Sequence, residues 1–110
     1  MADPQSDIPQ LVTSRLGIDL GSLAELAREF GVRRLSFFGS ILRDDWGDSS
    51  DVDMLAEFEA GEGDDFVCME LADRLAKLTG REVQVLTPGT VHPYYRDEIL
   101  GAARSVYVAA

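Results

Sequence analysis

The sequence predicts an α+β domain, a small mixed β-sheet with helices packed mainly on one face. Two stretches, 22–30 and 67–78, repeat apolar residues at helical spacing. Three short apolar runs, 33–38, 52–58 and 82–86, have the length and composition of strands. Gly, Pro, Asp and Ser collect between these segments, where the chain must turn. A chain of 110 residues supplies one hydrophobic core. We therefore expect a single domain over 9–110, preceded by a disordered polar tail over 1–8.

Taken in order, Ile8, Leu11, Val12 and Leu16 suggest a short first helix that Gly17 would end. Ser22 with Glu25 reads as a capping box opening a second helix. Its buried face would be Leu23, Leu26, Ala27 and Phe30, with Gly31 as the stop. The run 33–38 is the first strand, 40–45 a short helix or helical turn, and 46–50 a loop. The run 52–58 is the second strand, expected antiparallel to the first. After a Gly- and Glu-rich turn at 59–63, Asp64 or Asp65 can cap a long helix. Its stripe is Val67, Leu71, Leu75 and Leu78, with Cys68 and Ala72 beside it, and Gly80 closes it. The third strand is 82–86, followed by a Thr87-Pro88-Gly89 turn. Pro93 would open a last helix through about Ala103, with Tyr94, Ile99 and Leu100 available for packing. Residues 106–108 form a terminal strand or an extended tail.

The chemistry concentrates in 35–58, LSFFGSILRDDWGDSSDVDMLAEF. The first strand ends in Gly39-Ser40, and the second begins with Asp51-Val52-Asp53. Ten residues separate Ser40 from Asp51. Alternation along a strand sends Asp51 and Asp53 to one face and Val52 to the other. Two neighbouring carboxylates repel, and a hard divalent cation such as Mg²⁺ relieves that repulsion with room left for phosphate oxygens. Gly39-Ser40 offers main-chain N–H groups and a hydroxyl to an anion. Triphosphate, metal and carboxylate pair point together to phosphoryl or nucleotidyl transfer.

This stretch resembles the minimal nucleotidyltransferases of the DNA polymerase β-like superfamily, whose signature is Gly-Ser, ten residues, Asp-x-Asp. Phe37-Phe38, Arg43 and Ser50 also fit, and the resemblance spans about residues 18–108. It implies that Gly39 and Ser40 bind the triphosphate and that Asp51 and Asp53 bind Mg²⁺, with two ions in some members. Arg43 would reach a phosphate, or pair with a nearby acid such as Asp44. A third acid in such proteins usually comes from the next core strand, within a Val-Asp-(Leu/Val) pattern. Here that pattern reads Val83-Gln84-Val85. An amide can ligate a cation but cannot take a proton. Glu82, two residues earlier, shares the face of Gln84 and is the other candidate for a third ligand.

Six more residues carry two readings each. His92 is a surface histidine or an isolated catalytic one. Trp46 anchors a loop or stacks on a base. Ser50 caps its loop or orients the acid pair. The tyrosines 94, 95 and 107 pack or dock, and an exposed one could accept a nucleotide.

Net charge is −10, and it is not evenly spread. Residues 44–73 hold twelve acids and no Lys or Arg; the remaining 80 positions hold eight acids and ten bases. Such a surface lacks the cations that grip a nucleic-acid backbone, and it favours a basic protein partner. No apolar run reaches the ~20 residues of a membrane span. The lone Cys68 forms no internal disulfide and suits a reducing cytoplasm.

The resemblance implies AMP transfer from ATP to a hydroxyl with release of pyrophosphate. In stand-alone members it implies an antitoxin that modifies a tyrosine of a partner HEPN-type toxin. Two alternatives stay open: a weakened antitoxin that neutralises its partner by contact alone, and a small-molecule nucleotidyltransferase.

Overall fold

The computed structural model describes residues 8–59 and 64–109. Four helices and four strands follow the order α1 (Ile8–Leu16), α2 (Leu20–Glu29), β1 (Val32–Phe38), β2 (Val52–Phe58), α3 (Asp65–Thr79), β3 (Val83–Leu86), α4 (Arg96–Ala102) and β4 (Arg104–Val108). A 3-10 turn, Gly39–Leu42, follows β1. Ile8, which the expected tail included, is the first residue of α1 and is half-buried. Residues 1–7 and the 60–63 part of the Gly- and Glu-rich turn lie outside the described residues.

The four strands form one mixed sheet in the order β3-β2-β1-β4. β1 pairs antiparallel with both β2 and β4, and β2 pairs parallel with β3. A parallel neighbour needs a crossover, and α3 supplies it. Leu35 and Phe37 of β1, Val52, Met54 and Ala56 of β2, and Val83 and Val85 of β3 enter the main core beneath α1, α2 and α3. Val32 joins them although it is out of phase with Leu35. The register shift between Val32 and Arg34 explains this, since a bulge inserts one residue and turns Arg33 and Arg34 both outward. The opposite face carries a smaller cluster of Phe38, Leu55 and Val91, covered by Leu86, Ile99 and Ala103. Three helices therefore share one face, and only the α4 region lies on the other.

Local signals set most of the helix ends. Asp64 caps α3 by accepting from the Val67 N–H at 2.9 Å. Gly80 ends it in the left-handed region, φ 71°. The cap of α2 differs from the expected Ser22: the Asp19 carboxylate accepts from the Ser22 N–H at 2.8 Å, so the cap lies three residues earlier. An acid at the N-cap satisfies a free N–H and complements the helix dipole, which Ser22 at that place would do less well. The buried stripe of α3 is Cys68, Leu71 and Leu75, with Val67 only half-buried. Burial is the main reason the Cys68 thiol is pushed up, and Asp65 and Asp64 add to it, so it stays a protonated packing group. α4 begins at Arg96 and not at Pro93; within it Ile99 packs and Leu100 is exposed, and Tyr94, ahead of the helix, is exposed as well.

The Glu29–Arg74 pair joins α2 to α3 through two 3.1 Å hydrogen bonds, both side chains half-exposed. Such a pair contributes at most about 1 kcal/mol. Burying Leu26, Leu71 and Leu75 contributes roughly 1.5–3 kcal/mol each. Apolar packing, not the ion pair, holds the helices to the sheet.

Candidate active site

The site lies where β1 ends beside the start of β2, on the face opposite the main core. Register places Phe38 of β1, Asp53 of β2 and Gln84 of β3 in one row across three strands. Gly39 follows directly and adopts φ 80°, a conformation that glycine takes without the Cβ penalty. Its missing side chain has a second use. A Cβ there would lie 2.5 Å from Asp53 Oδ2 and 3.3 Å from its carboxyl carbon. The Asp53 carboxylate thus rests against the Gly39 backbone, and the two sequence motifs meet in space.

Asp51 lies one residue before β2, exposed to solvent. Its place is set by the Val52 N–H, which donates to the Glu82 carbonyl at 2.9 Å. Glu82 precedes β3 and is exposed, while Gln84 sits directly beside Asp53. Among the described residues, no group of three or more His, Cys, Asp or Glu side chains is arranged to hold a metal. Among the described residues, Asp51 and the paired Asp53 and Gln84 are the candidate oxygen ligands at this end of the sheet.

The pair is electrostatically strained. Burial raises the Asp53 carboxyl above the ordinary carboxylate range, the Asp51 charge raises it further, and Arg43 lowers it in part. The folded state therefore binds this proton more tightly than the unfolded chain, where an aspartate titrates near about 3.9. Stability contributed by Asp53 is full below the unfolded value and falls as pH rises toward the folded value. Above that value the ionised group carries its whole penalty. We expect Asp53→Asn to melt at a higher temperature than wild type at neutral pH, with the gain shrinking as pH falls through this window. Thermal melts at several pH values check this. A variant that melts lower than wild type at pH 7 would contradict the strain.

Two arginines outside the motifs hold the site's main chain, and sequence reading missed both. Arg81 Nη1 donates to the carbonyls of Gly47 at 2.9 Å and Ser50 at 3.0 Å, and its guanidinium lies over the Trp46 ring, 4.1 Å from the centroid. That fixes the loop immediately before Asp51. Arg15 Nη1, on α1, donates to the carbonyls of Ser40 at 3.5 Å, Ile41 at 3.0 Å and Arg43 at 2.6 Å. Neither arginine has a sequence signal, because each reaches main-chain carbonyls at least 25 positions away.

The remaining candidates resolve as follows. Arg43 bonds Asp45, not Asp44, at 3.2 Å, and this holds the Asp45 carboxyl below its ordinary value. Ser50 caps its loop by accepting from the Gly47 N–H at 3.0 Å. Trp46 packs against the core and Arg81, as a loop anchor does. His92 Nδ1 accepts from the Tyr94 N–H at 3.1 Å within its own turn. Tyr94 is 81% exposed and stacks edge-on with Tyr95, while Tyr107 packs on the core.

A family model described as a nucleotidyltransferase domain matches residues 22–106. The chain belongs to the nucleotidyltransferase domain family. A provisionally named protein adenylyltransferase of Methanocaldococcus jannaschii is 42% identical over 77 residues, 69% of this chain and 81% of its own length. Among solved structures, a provisionally named minimal nucleotidyltransferase aligns with TM-score 0.67 and 28% identity, covering 84% of this chain and 92% of that one. A toxin–antitoxin crystal structure with AMP-PNP contains a chain that aligns with TM-score 0.70 at 17% identity, covering 84% and 75%. A complex of tri-AMPylated Shewanella oneidensis HEPN toxin with its minimal nucleotidyltransferase antitoxin aligns with TM-score 0.62 at 17% identity, covering 82% and 70%. These last two share the nucleotidyltransferase fold, with its α+β architecture. No helix among the described residues of this nucleotidyltransferase is long and apolar enough to cross a membrane.

Proposed function

We propose that this nucleotidyltransferase moves AMP from ATP onto a tyrosine hydroxyl of a partner HEPN-type toxin and so acts as an antitoxin. The observation that carries the reading is the Asp53 carboxylate seated against Gly39. It supports the reading because the acid that would bind the metal lies beside the Gly39-Ser40 turn that would receive phosphates. The relative whose name gives protein AMP transfer, and the fold neighbours that are toxin–antitoxin complexes, supply the acceptor class.

In the reaction, the acceptor oxygen bonds to the α-phosphorus, the bond from that phosphorus to the bridging oxygen breaks, and pyrophosphate leaves. The electron pair of the broken bond leaves with pyrophosphate, and the acceptor's proton passes to solvent water. Asp51 and Asp53 suit Mg²⁺, since one or two carboxylates plus phosphate oxygens complete its shell, and the cation would offset the burial and the Asp51 repulsion that raise Asp53. Bound there, it would neutralise triphosphate charge and polarise the α-phosphate. Gly39 and Ser40 hold the triphosphate. Arg43 is exposed, and turning from Asp45 frees it for a phosphate. Gln84 orients ligands but takes no proton.

Incubation with labelled ATP, Mg²⁺ and a HEPN-type toxin from the same genome tests the reading. Label on a toxin tyrosine, with loss of its ribonuclease activity, is the expected result. Label that appears on a small-molecule acceptor instead would move the activity to the small-molecule class.

Gln84 also favours a second reading, an antitoxin that acts by contact. In that case the toxin is silenced with no label on it. Gln84→Asp separates the two. If transfer runs without a third acid, the variant should speed it, toward the ~10²-fold that a positioned base contributes at the low end. Single-turnover rates check this, and an unchanged rate would remove Gln84 as the limiting feature.

A further inference from the structure

We infer that α1 is a working part of the nucleotide site, with Arg15 as the positioning residue that holds the Gly39–Leu42 turn. This rests on the nucleotidyltransferase reading and adds to it an element that the family model, which starts at residue 22, does not include.

A short 3-10 turn leaves its last carbonyl oxygens without partners inside the turn. Arg15, in the last turn of α1, donates from one guanidinium nitrogen to the carbonyls of Ile41, of Arg43 just past the turn, and, at 3.5 Å, of Ser40, which also accepts from the Arg43 N–H. A cation at that end satisfies the oxygens and opposes their partial negative charge. The apolar side supports the same grip. Ile41 is fully buried in the core with Val12 and Leu16 of α1, so α1 holds the turn by packing as well as by charge. On the other side, Asp53 closes on Gly39. The turn is thus set between α1 and β2. The main chain that must meet the triphosphate has little freedom while Arg15 is in place. Positioning at this level matters, because ~1 Å of misplacement can cost on the order of 10² in rate.

Arg15→Ala should leave the fold cooperative and release the turn. Binding of Mg–ATP, measured by calorimetry on the full chain, should weaken about ten-fold or more, and KM for ATP should rise with it. KM for the acceptor should stay unchanged. Loss of correctly folded protein alone would lower kcat and leave both KM values untouched. Arg15→Lys keeps the charge and an N–H donor but loses the reach of the guanidinium, so it should recover part of the affinity. Arg28→Ala, an exposed arginine on α2, is the charge control and should bind as wild type does. Wild-type affinity and KM for ATP in Arg15→Ala would overturn the inference and leave the nucleotidyltransferase reading intact. Should Arg15→Ala fail to fold, Arg15→Lys decides: a partial loss of ATP affinity supports the inference, and full affinity overturns it. A wild-type chain that binds no Mg–ATP overturns the nucleotidyltransferase reading itself, and the inference with it.

Discussion

Asp51→Asn with Asp53→Asn is expected to abolish Mg²⁺-dependent ATP binding and transfer while raising the melting temperature. The two effects have one cause. The carboxylates stand together at the start of β2, and burial with mutual repulsion makes the ionised Asp53 costly in the folded state. Replacing both by amides of nearly the same shape removes that cost and keeps the packing. The same change removes the charge that would hold the cation. Metal-ion stabilisation is worth several kcal/mol, and each decade of rate is about 1.36 kcal/mol. Transfer should therefore fall by on the order of 10³-fold or more. Calorimetry with Mg–ATP and a thermal melt of the same sample read both effects. Unchanged Mg–ATP affinity in the double variant would end the metal-site reading. A lower melting temperature would show that the carboxylates stabilise the fold by some contact other than the metal.

Gly39→Ala is expected to be nearly as damaging to transfer, and it should also destabilise the fold. The residue sits at φ 80°, where a side chain costs about 1–2 kcal/mol. Its new methyl group would stand 2.5 Å from Asp53 Oδ2, so either the turn or the carboxylate has to move. Both are parts of the site, and moving either misplaces the reacting groups. A rate loss of ~10²-fold or more follows, together with a lower melting temperature. Adding Asp53→Ala in the Gly39→Ala background should restore some stability, because the clash disappears, and no activity, because the acid is gone. Non-additive melting temperatures in that cycle are the signature of direct contact. Gly89→Ala is the comparison, since its Cβ would meet only Thr87 Oγ1 at 3.9 Å and should be tolerated. Additive melting temperatures would contradict the close approach of Gly39 and Asp53.

The acidic excess of 44–73 bears on the partner more than on the fold. Its solvent-exposed acids include Asp44, Asp45, Asp51, Asp64, Asp65, Glu70 and Asp73. They cannot displace counterions from a nucleic-acid backbone, and they can steer a basic protein toward the domain. Under the proposed function, association with the toxin should slow as salt rises.

The sequence by itself determined the elements, most of their ends and the identity of the motif residues. Those properties are local. Helical spacing marks Leu71 and Leu75, a glycine marks the end of α3, and Gly-Ser and Asp-x-Asp stand out by their spacing along the chain. Only the tertiary structure decided which residues meet. That Gln84 lies beside Asp53 depends on β3 pairing parallel to β2 in one particular register, which α3 packing against the sheet fixes. That Gly39 lacks a side chain because Asp53 occupies the space is a fact about two strands, invisible along either one. Arg15 and Arg81 act on main-chain carbonyls, which every residue carries, so no residue type advertises the target. Side-chain identity is written in the sequence, but the direction of a carbonyl exists only once the chain has folded.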